Sequence, residues 1–230
     1  MLTIFVIALL LSVGAANFGR VRFEEAMKLG SRLKSPGGQT AAEVAREFLD
    51  TFEATDVMIV EHNALVTDYF DPVRRTLFLH REIMQGTSAA AWAVALHEAA
   101  HATQTNTMRA ALDMRRSNIK LTRYVPALSA AMFAVLGFLR RPPFAIGWRL
   151  VAAIWFVVMA LNLLSLPIEF NASQRALAFL ERKLRKHPEA LERLGKLLSG
   201  VAWRDTAVFL RSPVYCLFGA LPVGGTLRPR

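Results

Sequence analysis

Apolar residues recur along this chain with two different periods. Residues 39–52 carry them at helical spacing, which predicts an amphipathic helix after the turn-forming segment 35–38. Residues 57–60 and 75–79 are short β-rich runs, and the segment 68–72 between them ends in a turn-forming Asp-Pro pair. We therefore expect two or three short strands after the amphipathic helix.

Long uninterrupted apolar runs mark three further segments. Residues 1–18 are almost wholly apolar and uncharged, which predicts an N-terminal transmembrane anchor. A signal peptide is the alternative, but the run lacks the basic residues that open such peptides. Residues 124–139 and 144–166 predict a transmembrane helical hairpin, broken at 140–143 by Arg-Arg-Pro-Pro. A hydrophobic hairpin inside a soluble protein would show the same pattern.

The C-terminal part alternates between basic and apolar stretches. Residues 176–187 and 189–199 predict two basic amphipathic helices that are separated at Pro188. Residues 208–223 are apolar but contain two prolines and a glycine, so we expect a membrane-associated tail and no further full span. The pattern as a whole predicts a mainly α fold with a small β-sheet, combined with transmembrane helices.

Composition agrees with attachment to a membrane. The 230 residues are 53% hydrophobic with a mean hydropathy of +0.31, which is high for a soluble domain. The net charge is +10, and the basic residues cluster beside the apolar runs. We therefore expect anionic lipid to be the partner, and not nucleic acid. The single cysteine, Cys216, excludes an intramolecular disulfide and a cysteine-based zinc cage. We expect it to be a buried structural thiol.

The most specific chemical pattern lies in a helix predicted to follow the N-cap residue Ser88. His97 and His101 stand four residues apart, so their imidazoles share one helix face and can bind one Zn²⁺. Glu98 lies about 100° round the helix, where its carboxylate can reach water at the metal. This is the H-E-x-x-H arrangement of zinc metallopeptidases. Two surface histidines would be the alternative, but the alanines at 99–100 indicate a buried helix.

A catalytic zinc needs a third protein ligand, and Glu169 is the natural candidate. It follows the second apolar run directly, on the same membrane side as the histidines if the hairpin crosses the membrane twice. An ordinary carboxylate near a helix start is the alternative. Asn171 and Ser173 could orient a ligand through hydrogen bonds. The alternative is that both are ordinary solvated residues at the start of a helix.

Charge predicts the orientation of the chain. Basic residues follow the anchor, precede the hairpin and follow it, and by the positive-inside rule these regions lie in the cytoplasm. We therefore expect four regions: a transmembrane anchor at 1–18, a cytoplasmic catalytic region at 19–123, a transmembrane hairpin at 124–166, and a third-ligand helix with a basic amphipathic C-terminal region at 167–230.

Three segments resemble the signatures of the bacterial membrane-bound neutral zinc metallopeptidases, the YugP-like proteins: His97-Glu-Ala-Ala-His-Ala-Thr-Gln104, Leu166-Pro-Ile-Glu-Phe-Asn-Ala-Ser173 and Val66-Thr-Asp-Tyr-Phe-Asp-Pro72. The resemblance covers about residues 1–185. This chain departs from the family pattern at Tyr69, Ala100 and Asn171, where the family has His, Gly and Asp.

The resemblance implies a zinc-dependent bacterial membrane peptidase with a zincin-like, gluzincin-type catalytic region. Together with the apolar runs and the charge pattern, it predicts a multi-pass protein of the inner membrane whose active site faces the cytoplasm. It implies His97, His101 and Glu169 as Zn²⁺ ligands and Glu98 as general base, with peptides or membrane proteins as substrates. Tyr69 is a candidate donor to the oxyanion. A non-catalytic membrane scaffold with a structural zinc site is the other hypothesis, although such a site does not need a base. Substrate specificity and oligomeric state are not readable from the sequence.

Overall fold

The computed structural model describes residues 2–63, 68–105 and 166–218, together with isolated helical positions between 135 and 160. The chain divides into two compact units. One comprises residues 1–18, 110–166 and 206–230, and the other comprises residues 19–109 and 167–205. The predicted hairpin at 124–166 falls almost wholly outside the described residues. The four predicted regions remain predictions.

Helix α1 spans Leu2–Arg32 and is longer than the predicted anchor. Gly19 does not end the helix, and an Arg20–Glu24 ion pair at i, i+4 spacing supports the turns beyond it. Among the described residues, one helical stretch is long and apolar enough to cross a membrane, and it runs from Val6 to Arg32. The described part of the chain is thus mainly helical, as predicted, and contains one candidate membrane helix.

Helix α2 spans Ala41–Thr51 and confirms the predicted amphipathic helix. A capping box opens it, because Thr40 accepts a hydrogen bond from the Glu43 backbone N–H and Glu43 accepts one from that of Thr40. Its apolar face, which includes Phe48 and Leu49, is fully buried in the core.

Three short strands follow, where two or three were expected; two of them match the predicted runs 57–60 and 75–79, and the third lies in the segment 68–72 that was predicted to separate those runs. They are β1 (Met58–His62), β2 (Tyr69–Asp71) and β3 (Thr76–His80), and the sheet order is β1-β3-β2. β3 pairs parallel with β1 and antiparallel with β2. The predicted turn after Asp71 is present, since the Asp71 carboxylate accepts hydrogen bonds from the backbone N–H groups of Val73 and Arg74.

The short helix α3 (Arg81–Met84) leads to α4 (Ala89–Ala102), the helix predicted from the histidine motif. The Ser88 hydroxyl caps α4 by accepting a hydrogen bond from the Ala91 backbone N–H. The Ala89 backbone N–H also donates to the Leu33 carbonyl, 2.8 Å away, so the residues just after α1 hold the start of α4.

Helices α5 (Leu166–Lys183) and α6 (Pro188–Phe218) are both longer than the two helices predicted here. The break before Pro188 is confirmed. The expected interruption at Pro213 is wrong, since α6 continues past it to Phe218. A proline inside a helix removes one backbone hydrogen bond, and flanking turns can carry the helix across it.

Gly86 is expected to be intolerant of a side chain. A Cβ there would lie 2.6 Å from the Glu82 carbonyl oxygen and 2.7 Å from the Ala91 Cβ. The backbone has little room to move, because the Gly86 carbonyl accepts a hydrogen bond from the Ala41 N–H. Gly86→Ala should therefore lower the free energy of unfolding by about 1–3 kcal/mol, measured by thermal unfolding in detergent.

The control for that experiment is Gly195→Ala. A Cβ at Gly195 meets Leu177 at an ordinary 3.5 Å, and this site lies inside α6. Alanine is the better helix former by about 1 kcal/mol, so this variant should be neutral or stabilised. Equal unfolding temperatures for the two variants would contradict the clash at Gly86.

Candidate metal centre

Helix α4 is buried on every side. All 14 of its residues are inaccessible or nearly so, which follows from a sequence made mostly of alanine, with Trp92 and Leu96 as its large residues. Helices pack around α4 closely because alanine adds little width. The two histidines therefore point into protein and not into solvent. Their rings lie edge to face with centroids 5.1 Å apart, and His97 is 0% exposed.

Glu169 reaches this pair from the first turn of α5. Its Oε2 atom lies 3.1 Å from Nε2 of His97 and 3.5 Å from Nε2 of His101. The three residues offer one ligand atom each within 4.8 Å of one another, and all three are buried. The structure thus brings together the three residues that the sequence singled out as ligands.

The hydrogen bonds of Ser173 fix the tautomer of His97. The Ser173 hydroxyl donates to the Leu198 carbonyl at 2.8 Å, and Oγ lies 2.9 Å from Nδ1 of His97. A hydroxyl has one proton to donate, so Oγ must accept from Nδ1. The proton of neutral His97 is therefore on Nδ1, and the lone pair on Nε2 faces Glu169.

Gln104 does the same for His101. Its amide nitrogen donates to the Ile168 carbonyl at 2.8 Å and lies 3.3 Å from Oδ1 of Asn171. That orientation leaves its Oε1 facing Nδ1 of His101, at 3.1 Å, and an amide oxygen can only accept. Nδ1 of His101 therefore carries the proton, and Nε2 presents a lone pair.

Three electron-pair donors consequently converge on one buried point. Two imidazole nitrogens and a carboxylate oxygen would repel one another there unless a cation lies among them. Two neutral imidazoles and one carboxylate are the donor set of catalytic zinc sites, and each imidazole is oriented by an outer hydrogen bond, as such sites require. The residues present therefore fit the zinc that the motif implies.

Glu98 is the remaining acidic group of the motif, and an arginine holds it. Nη2 of Arg204 lies 3.0 Å from Oε1 of Glu98, with the two side chains 15% and 7% exposed. Arg204 comes from α6 and also lies over the ring of Phe23, at 5.3 Å. The ion pair occupies Oε1 and fixes the carboxylate in one orientation.

The other candidate residues are placed differently. Asn171 contacts Gln104 and Arg175, so it supports the orientation of His101 only indirectly. Tyr69 stacks on Phe78, and no contact described for its ring involves the three ligands.

Sequence reasoning missed the roles of Gln104 and Arg204. Gln104 stands three residues after His101, a spacing that could have suggested its hydrogen bond. Nothing local marks Arg204, which lies 106 residues after its partner.

Ser173→Ala tests the outer hydrogen bonds. Removing the hydroxyl frees the ring of His97 to reorient and leaves the Leu198 carbonyl without this donor. We expect affinity for zinc to fall about 10- to 100-fold, measured by competition with a chelating dye. The exposed Ser199→Ala is the control and should leave affinity unchanged. Unchanged affinity in Ser173→Ala would show that this hydroxyl does not orient the ligand.

Comparisons with known proteins agree with this geometry. A family model described as "Putative neutral zinc metallopeptidase" matches residues 1–212. A Bacillus subtilis (strain 168) protein named "Putative membrane protease YugP" is 29% identical over 217 residues, which cover 91% of this chain and 92% of that protein. No solved structure matches the chain. The family resemblance seen in the sequence is confirmed, and the chain belongs to this neutral zinc metallopeptidase family.

Proposed function

We propose that this protein is a membrane-bound zinc metalloendopeptidase. His97, His101 and Glu169 bind the zinc, and Glu98 is the general base. The observation that carries the proposal is the convergence of three lone pairs on one buried point, with Glu98, the neighbour of His97 in the helix, held by an ion pair to Arg204. A purely structural zinc site would have no use for Glu98 as a base beside its ligands, which argues against the scaffold hypothesis.

The proposed reaction is hydrolysis of a peptide bond by water. When bound, zinc polarises the scissile carbonyl and makes water a better nucleophile near neutral pH. Glu98 accepts one proton from the attacking water while the water oxygen bonds to the carbonyl carbon. The same carboxylate then returns that proton to the amine nitrogen as the C–N bond breaks. A carboxylic acid and an amine are the products, with the second proton of the water left on the acid, so Glu98 ends as it began.

Arg204 is a positioning residue in this scheme. Its guanidinium binds Oε1 of Glu98, which directs the remaining carboxylate oxygen to the water. The ion pair also keeps Glu98 from rotating away, and an oriented base gains rate because its reacting geometry is prepared in advance.

The proposed zincin-like, gluzincin-type region combines the motif helix α4, a carboxylate ligand from the later helix α5, and a small sheet. β1 lies at one edge of that sheet and carries exposed apolar residues: Met58 is 59% exposed and Val60 is 38% exposed. An edge strand of this kind can pair with an extended peptide.

We further propose a multi-pass protein of the bacterial inner membrane whose active site faces the cytoplasm. The candidate span in α1 and the basic residues that follow it support this orientation. Anionic lipid would hold the basic surfaces at the membrane, so the substrates would be membrane proteins or peptides close to the membrane.

A cleavage assay on the full chain in detergent tests the function. The purified protein should cleave an unfolded casein-like substrate, lose that activity to a chelator, and recover it when zinc is added back. A protein that binds zinc in the same preparation and cleaves no peptide would support the scaffold hypothesis instead.

A further inference from the structure

The sheet topology brings a second group of metal-binding side chains to one edge. β1 ends at His62 and β3 ends at His80, and the two residues are direct partners in the parallel register. Paired residues of neighbouring strands project from the same face of a sheet. Asp68 directly precedes β2, which runs antiparallel to β3, so it arrives at the same end.

The side chains meet closely. The ring centroids of His62 and His80 lie 4.2 Å apart. Oδ1 of Asp68 accepts a hydrogen bond from the His80 backbone N–H at 2.7 Å and lies 3.4 Å from Nδ1 of the same residue. One ligand atom from each of the three residues falls within 4.8 Å of the others; the two histidines are half-buried, and Asp68 is buried, at 9% exposed.

The surroundings keep the rings in place while leaving access. Tyr69 and Phe78 stack on each other and both meet the ring of His62 edge to face. A cavity of about 510 Å³ opens beside Asp68 and His80.

We propose that His62, Asp68 and His80 form a second metal site, distinct in its residues from the His97 centre. Two imidazoles and one carboxylate suit zinc, and suit cobalt or nickel ions as substitutes, whereas calcium and magnesium prefer ligands that are all oxygen. The ion would tie the carboxyl ends of β1 and β3 to the start of β2. Four of the five histidines in the chain then serve metal ions.

Metal stoichiometry of the detergent-purified full chain tests this proposal. Wild type should bind two zinc ions, and both His62→Ala/His80→Ala and His97→Ala/His101→Ala should bind one. A variant with all four changes should bind none, while His187→Ala, at an exposed position outside both groups, should bind two. Wild-type stoichiometry in His62→Ala/His80→Ala, or one ion in wild type, would overturn the second site.

Asp68→Asn tests the second site with a change that should not disturb folding, so a loss of metal cannot be ascribed to unfolding. The asparagine oxygen can still accept the hydrogen bond from the His80 backbone, but the negative charge is gone. In the His97→Ala/His101→Ala background, cobalt should give an absorption band from the second site alone, and Asp68→Asn should weaken that binding at least tenfold. Equal affinity with aspartate or asparagine would overturn the proposal. Because this background lacks the first centre, the result does not depend on the proposed peptidase activity.

Discussion

Glu98→Gln should abolish peptide cleavage and leave zinc in place. Glutamine has the size of glutamate and can still accept the hydrogen bond from Arg204, so the packing around α4 should be kept. The amide cannot take up the proton of the attacking water, and loss of a general base costs about 10²- to 10⁴-fold in rate. Steady-state cleavage and metal analysis of the same preparation measure both effects.

Glu189→Gln is the matched control, since Glu189 opens α6 with a side chain that is 86% exposed. This variant should cleave at the wild-type rate. Undiminished cleavage by Glu98→Gln, with zinc still bound, would remove Glu98 from the mechanism and require another base.

Glu169→Ala should lose the catalytic zinc. The change leaves two imidazoles at the centre, and a catalytic site depends on three protein ligands for its affinity. The loss should exceed the about 10- to 100-fold effect of an outer hydrogen bond such as that of Ser173. Glu169→Gln should also weaken binding, because a neutral amide replaces a charged carboxylate. Metal analysis of the purified variants should show one zinc ion fewer per chain.

Glu61→Ala and Glu82→Ala provide the controls, since both side chains are exposed, on β1 and α3 respectively, and neither belongs to a metal-binding group. Zinc content should be unchanged in both. Full occupancy in Glu169→Ala, with loss in another acidic variant, would identify a different carboxylate as the ligand.

Elements with a strong local pattern were predictable from the sequence. Helix α2 is marked by its amphipathic spacing and capping residues, and α4 by its small residues and N-cap. Each of these signals depends only on residues close together in the sequence, so one short stretch contains all of it. The strands β1 and β3 were recognisable for the same reason, whereas β2 lies in the segment that was assigned to a turn. The two histidines of α4 also face one way in any helix, whatever packs around it.

Features that depend on tertiary packing were not predictable. The parallel pairing of β1 with β3 is set by how the sheet packs, and no local residue encodes it. The ion pair of Glu98 with Arg204 joins positions 106 residues apart, and an arginine in a basic helix looks like any other surface charge. Helix lengths were underestimated for α1 and α6, because propensity rules overstate how firmly a glycine or proline ends a helix.

The centre assembled around α4 also has a consequence for biosynthesis. His97 and Glu169 are 72 positions apart, and Ser173 depends on a carbonyl 25 residues further on. A ribosome therefore releases the H-E-x-x-H helix well before the remaining ligand and its support exist. A nascent chain that ends before Glu169 has only two imidazoles to hold an ion, so the proposed peptidase activity should not begin until that ligand has been made. The order of the ligands in the sequence would then delay activation until the C-terminal half of the chain has been made.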